Sequence, residues 1–98
     1  MTNEMRIFYY FRASPGHRAT VFDMDCVTVF DLKRRVMMEC SLGKGTDYDF
    51  CAYNDSDEAQ GVELNDKTEL HDGQHIRVRR TPAHRPGQGQ AYLYAEEL

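Results

Sequence analysis

"TVFDLKRRVMMECSLGKGTDYDF", residues 28–50, decides the fold. Thr28 is followed three residues later by Asp31, the spacing of a helix capping box with Asp where Glu or Gln is usual. On a helical projection Val29, Leu32, Val36 and Cys40 share one apolar stripe, while Arg34, Arg35 and Met38 point away from it. Gly43 stands just past the last turn, where a glycine takes the left-handed conformation that closes a helix. GKGT therefore follows a helix and precedes a strand. A phosphate loop needs the opposite order, so that a helix N-terminus faces the anion. A helix C-terminus carries the wrong partial charge for that task. These glycines end a helix and do not hold a nucleotide.

The flanking segments read as strands. "DYDFCAYN" (47–54) alternates, with Tyr48, Phe50 and Ala52 on one face. "MRIFYYFRA" (5–13) puts Ile7, Tyr9 and Phe11 on one side, "SPGH" is a turn, and "RATVFDMD" (18–25) is the return strand. "HIRVRR" (75–80) turns Ile76 and Val78 inward and His75, Arg77 and Arg79 outward. Between 55 and 74 the chain is polar, with "GVEL" the one candidate short strand. Pro82 and "TPAHRPGQGQ" leave the sheet, and "AYLYAEEL" is too short to place. No internal repeat is visible.

Hairpin, helix, strand, irregular loop and strand predict an α+β fold, one main helix across a mixed sheet. With the first and last strands parallel at the centre it is a β-grasp roll. The expected core is Ile7, Tyr9, Val21, Val29, Leu32, Val36, Phe50, Ile76 and Val78. The expected domain covers residues 1–82, and residues 83–98 form a flexible Pro/Gly/Gln-containing tail.

Composition narrows the function classes. The chain has 98 residues, 41% hydrophobic and 29% charged, with net charge −4. That is one small domain with a sufficient core but no room for a deep cleft. No apolar run reaches the ~20 residues of a membrane span, and no signal peptide opens the chain. Cys26, Cys40 and Cys51 are odd in number and lack a CxxC pair, so they read as reduced thiols acting as small core hydrophobes. His71 and His75 lie where a loop enters a strand, do not share a face, and have no third ligand nearby, so no metal or cofactor is expected. No catalytic grouping emerges from spacing, and the chain reads as a binding module, not an enzyme.

Lys33 breaks the helical pattern, falling in the middle of the apolar arc. Either its stem covers the core edge while the ammonium reaches water, or it is buried against a carboxylate of the acidic 55–72 segment.

The pattern resembles ubiquitin element for element, down to a lysine in the helix core, which favours burial of Lys33. More specifically, "TVFDLKR", "LGKGTDYDF", "YN" and "VRRTPAHRPG" resemble the DWNN domain ("domain with no name") of the retinoblastoma-binding protein six family, over about residues 5–90. That family implies a docking module of the nuclear machinery that cleaves and polyadenylates pre-mRNA 3′ ends. It implies contact with the metallo-β-lactamase-type endonuclease subunit. It also implies, in full-length members, a following zinc knuckle and a RING-type domain tied to ubiquitin ligase activity. The chain then reads as a domain fragment or a short member, monomeric in isolation. The family's Glu-Glu-Tyr and Ile-Pro signatures are replaced in the 55–74 loop, whose role the resemblance does not supply.

Topology gives the expected docking surface. The ends of the first and last strands and the start of the third meet at one corner, which in ubiquitin is an apolar patch. Here it carries Phe11, Arg12, Arg79 and Arg80, with Lys44, Asp47 and Asp49 beside them. One aromatic ringed by mixed charge suits a specific protein partner, unless Phe11 belongs to the core. Two rival readings stand beside this one. A conjugated modifier needs a terminal Gly-Gly, whereas Gly87 and Gly89 are separated by Gln88. A weak RNA contact through Arg77, Arg79 and Arg80 with Phe8 and Tyr10 suits single strands, although the net charge is acidic.

Overall fold

The alternation of Ile7, Tyr9, Ile76 and Val78 sets the centre of the sheet, and the computed structural model shows how. It describes residues 4–11, 17–40, 45, 48–54, 62–83, 85 and 87–94. Strand β1 (Met5–Phe11) lies between β2 (His17–Phe22) and β6 (His75–Pro82), and β4 (Tyr48–Asn54) flanks β6 on its other side. β1 runs parallel to β6, while β2 and β4 run antiparallel to their neighbours. One helix, α1 (Val29–Cys40), packs across this sheet. The architecture is the predicted α+β β-grasp roll.

A two-stranded clasp sits at the start of α1. β3 (Val27–Thr28) pairs with β5 (Glu69–Leu70), and the loop before β5 continues along the helix. The Val29 amide donates to the Thr68 carbonyl at 2.9 Å and the Phe30 amide to the Asp66 carbonyl at 3.0 Å. Two amides of the first helical turn, which lack intrahelical partners, are thereby satisfied. The capping box forms as the sequence predicts. The Thr28 amide donates to Asp31 Oδ2 at 3.0 Å, and the Asp31 amide donates back to Thr28 Oγ1 at 3.3 Å. Gly43 lies outside the described residues.

The core holds Ile7, Tyr9, Val29, Leu32, Val36, Phe50, Ile76 and Val78, joined by Phe22, Val27, Met37, Ala52 and Leu70. Val21 is a correction. It is 40% exposed while Phe22 is buried, because β2 pairs Phe22 with Met5 and Thr20 with Ile7. Residues directly opposite in a ladder share a face, so Val21, opposite Arg6, faces out. The slot facing Tyr9 and Ile7 is filled by a polar group instead. Thr20 Oγ1 donates to Glu39 Oε2 at 3.0 Å, and the Tyr9 hydroxyl donates to Glu39 Oε1 at 2.8 Å.

Two further expectations change. "GVEL" forms no strand in its described residues 62–64, although the Leu64 amide donates to the Ala52 carbonyl at 2.7 Å. The short strand is Glu69–Leu70, because Leu70 supplies the apolar face that covers Val27. None of the cysteines is fully buried, and Cys26 is exposed. Leu32, fully buried beneath the sheet, sets the scale of core packing. Leu32→Ala is expected to cost about 2–5 kcal/mol in urea unfolding.

Candidate functional site

β6 outruns β1 at the predicted corner, and the side chains there divide between the two faces of the sheet. Phe50 pairs with Arg80, and Phe11 is the register partner of Val78, so Phe11, Tyr48, Phe50 and Arg80 lie on the face towards α1. Asp49 and Arg79 lie on the opposite face. Arg12, Lys44 and Asp47 lie outside the described residues. The corner is therefore an edge of the core as much as a surface. Phe11 is half-buried and meets Phe50 edge-on, with centroids 6.2 Å apart; Tyr48 meets Phe50 the same way at 5.5 Å.

Arg80 closes the gap between these rings. Its guanidinium lies 5.7 Å from the Phe11 centroid and 5.3 Å from the Tyr48 centroid, two cation–π contacts. Its Nε is buried and meets no hydrogen-bond acceptor among the described residues. A buried donor without an acceptor costs about 1–3 kcal/mol, so an incoming carboxylate or carbonyl would gain by reaching it. Burial pushes the Tyr48 phenol up, against the opposing pull of Arg80. The ring stays neutral and presents its π face, not a phenolate. Arg79 is exposed on the far side of the strand. Asp49 Oδ1 is occupied, accepting the Gln90 amide at 2.6 Å.

That last contact belongs to the segment expected to be a flexible tail. Its described part returns to the domain as a short 3-10 helix, Ala91–Tyr94, with Ala91 fully buried and Tyr94 nearly so. Tyr94 packs on Phe30 and Phe50, with centroids 5.3 and 6.2 Å away. Gly45 makes room for it. The residue has φ +79°, and a Cβ there would lie 2.6 Å from the Tyr92 amide nitrogen. The sequence signal was the spacing of Ala91 and Tyr94, three apart and so on one side of a turn. It was too short to separate from disorder.

Lys33 lies beneath this segment, 2% exposed. Its Nζ donates to Asp66 Oδ1 at 2.7 Å and to the Tyr94 hydroxyl at 3.2 Å. The Tyr94 hydroxyl in turn donates to Asp66 Oδ2 at 2.7 Å. The three groups form a closed ring joining helix, loop and closing segment. Burial, followed by the bond to Asp66, pushes the Tyr94 phenol well above its ordinary range. The folded state thus keeps this proton at pH values where the unfolded chain, with a phenol near about 10, has lost it. Stability is fully present below about pH 10 and falls above it, by up to about 1.4 kcal/mol per pH unit for each such group. Tyr9, raised chiefly by burial and then by Glu39, behaves alike. Tyr94→Phe is expected to flatten the alkaline decline, measured by urea midpoints between neutral and alkaline pH.

A groove of about 560 Å³ borders the same segment and includes Lys33, Asp49, Cys51, Glu63, Asp66 and Tyr94 in its lining. Lys33 and Asp66 are committed to each other there. The Cys51 thiol is pushed up by burial and by Glu63, which keeps it protonated and poorly nucleophilic. Cys26 is raised chiefly by its bond to Glu69. Among the described residues no group of three His, Cys, Asp or Glu side chains is placed to hold a metal ion, and no helix is long and apolar enough to cross a membrane.

Comparison with known proteins agrees with the geometry. Residues 7–82 match the DWNN domain family. Protein MPE1 of Saccharomyces cerevisiae is 41% identical over 54 residues, covering 55% of this chain and 12% of that protein. An uncharacterized RING finger protein of Schizosaccharomyces pombe is 33% identical over 90 residues, covering 90% of this chain and 18% of that protein. The chain thus spans less than a fifth of the length of these two curated relatives. With a β-grasp sheet, a capped helix across it and a family match over most of its length, the chain belongs to the DWNN domain family of ubiquitin-like modules.

Proposed function

We propose that this domain is a non-catalytic protein-docking module of the nuclear pre-mRNA 3′-end cleavage and polyadenylation machinery. Its partner in this reading is the metallo-β-lactamase-type endonuclease subunit, as the family resemblance implies. The observation that carries the docking surface is Arg80, held between Phe11 and Tyr48 with a buried Nε that has no partner among the described residues. Arginine and aromatic side chains in a partly desolvated setting are what interface hot spots favour. A partner carboxylate or carbonyl would complete the hydrogen bonding of a cation whose position is already set by two rings. Asp49 and Arg79 lie on the other face of the sheet and flank this surface instead of lining it, and Arg12, Lys44 and Asp47 lie outside the described residues. Because Asp49 is engaged by Gln90, its contribution is to hold the closing segment beside the site. The RING finger protein among the relatives supports a link to ubiquitin ligation in longer proteins of the family.

Among its described residues the corner presents Arg80 between aromatic rings and no aliphatic patch, so in this reading ordinary ubiquitin receptors are not its ligands. In this reading Gly87 and Gly89 are not conjugation sites. The test is affinity capture from nuclear extract on immobilised wild-type domain and on Phe11→Ala. The wild type is expected to retain the endonuclease subunit and the folded variant to lose most of it. Equal retention by both would move the docking surface elsewhere, and absence from both would remove the proposed partner.

A further inference from the structure

The outer face of the sheet, turned away from α1, carries an arrangement that the corner does not use. Arg6, Phe8 and Tyr10 project from β1, and His75, Arg77 and Arg79 from β6, all on this one face. Four of them form a continuous stack across the two central strands. Phe8 stacks on His75, with centroids 4.7 Å apart and planes at 15°. His75 meets Tyr10 at 5.9 Å and accepts from or donates to its hydroxyl at 3.2 Å. The Arg77 guanidinium lies 4.7 Å over the Tyr10 ring. Register produces this order, since Phe8 is opposite His75 and Tyr10 is opposite Arg77 in the parallel ladder. His75 is exposed, and Phe8, Tyr10 and Arg77 are half-exposed, so the stack reaches solvent. Beyond its Phe8 end lies an open pocket of about 360 Å³, bounded by Arg6, Val21 and Gly73.

Charge on this face opposes that of the chain. Net charge is −4 overall, yet the middle of the face presents Arg77 and Arg79. The described acids lie at its margins: Glu4 and Asp72 beside Arg6, Asp49 at the far corner, and Glu63 near Cys51 and Tyr53. Tyr53, opposite Arg77 on β4, adds a further ring to the basic middle. Among the described residues no helix crosses this face. A row of π surfaces with guanidinium groups interleaved fits bases that stack singly and phosphates that pass between them. An apolar protein partner would want an aliphatic patch, and among the described residues of this face the edge strand offers just Ala19 and Val21.

We propose that this outer face is a binding surface for single-stranded RNA, with the Phe8–His75–Tyr10–Arg77 stack as its platform. The choice of RNA over single-stranded DNA rests on the reading of the domain as part of pre-mRNA processing; the stacking surface itself does not depend on that reading. The site is separate from the Phe11–Arg80 corner, which lies on the other face of β1 and β6.

The experiment is fluorescence anisotropy of labelled oligouridylate and oligoadenylate at low and moderate salt, with the DNA counterparts and a duplex RNA as parallel arms. Amide chemical shifts locate any contact. Wild-type protein is expected to bind single strands, RNA at least as tightly as DNA and duplex weakly, with shifts centred on β1 and β6. Tyr10→Ala is expected to weaken binding roughly ten-fold, the effect of losing one stacked base. Arg79→Gln, an exposed change that leaves the stack intact, is expected to lower the slope of log affinity against log salt by about 0.7. No binding at low salt, preference for duplex or DNA, or shifts confined to the corner would each overturn the proposal. Capture of the endonuclease subunit by the same variants separates the two readings. Loss of capture with RNA binding untouched would assign the outer face to a protein partner and overturn the RNA assignment.

Discussion

Asp66→Ala is expected to destabilise the domain by about 3–5 kcal/mol, the range for removing one partner of a buried ion pair. The reason lies in the unequal burial of the two groups. Lys33 is 2% exposed, whereas the Asp66 side chain is 37% exposed. Without Asp66, the Tyr94 hydroxyl is the one acceptor left to the ammonium among the described residues, in a site lined by core residues. The reciprocal change, Lys33→Met, is expected to cost less. Asp66 can then turn towards water while keeping the Tyr94 proton, and the methionine fills an apolar arc. Urea unfolding of both variants measures the asymmetry through the midpoint at constant m-value. A change within about 0.5 kcal/mol for Asp66→Ala, the size of an ordinary surface substitution, would mean that the lysine finds water and that the ring of three groups carries no weight.

Tyr94→Ala is the second large effect, expected at roughly 3 kcal/mol. Truncating a buried aromatic costs about 3–5 kcal/mol when the surroundings cannot adjust. The lower end applies here because the closing segment can release as a unit, which caps the loss at its docking energy. Release would uncover Phe30 and Phe50 and leave Gly45 without its neighbour. Two readouts belong together: the urea midpoint, and the rate at which a protease cuts between Pro82 and Tyr94. Faster cutting with a lowered midpoint is the expected pair. An unchanged midpoint would show the segment to be an ornament on a domain complete without it.

The strongly periodic parts of this chain were legible from sequence because their burial is decided locally. The helix over 29–40 carries its cap and stripe within a dozen residues, and Ile76 and Val78 alternate without ambiguity. Val21 and Phe22 were not separable in this way. Both are apolar and adjacent, and the choice rests on the ladder pairing Thr20 with Ile7, which places a polar residue in the core face. That placement is tolerated because Glu39, a helix residue nineteen positions away, accepts from the hydroxyl and Arg35 donates to it. Lys33 stood out in its helix, but Asp66 could not be chosen from among the acids that precede β5. The carboxylate is selected by the backbone bond that brings residue 66 to the helix start. Tyr94 was hidden for a related reason: its value depends on Lys33, Phe30 and Phe50, none of which is near it in sequence. At the corner, chain order brought Phe11 and Arg80 together correctly, while strand alternation split Arg79 and Asp49 onto the other face.

The central claim is that Phe11 and Arg80 form the docking surface for the endonuclease subunit. Calorimetric titration of that subunit with wild-type domain, Phe11→Ala, Arg80→Glu and Tyr10→Ala, each first shown to unfold cooperatively, tests it most directly. The account predicts that the two corner variants lose affinity by about ten-fold or more, as hot-spot truncations do, while Tyr10→Ala binds like the wild type. Wild-type affinity in both corner variants, with loss in Tyr10→Ala, would contradict it.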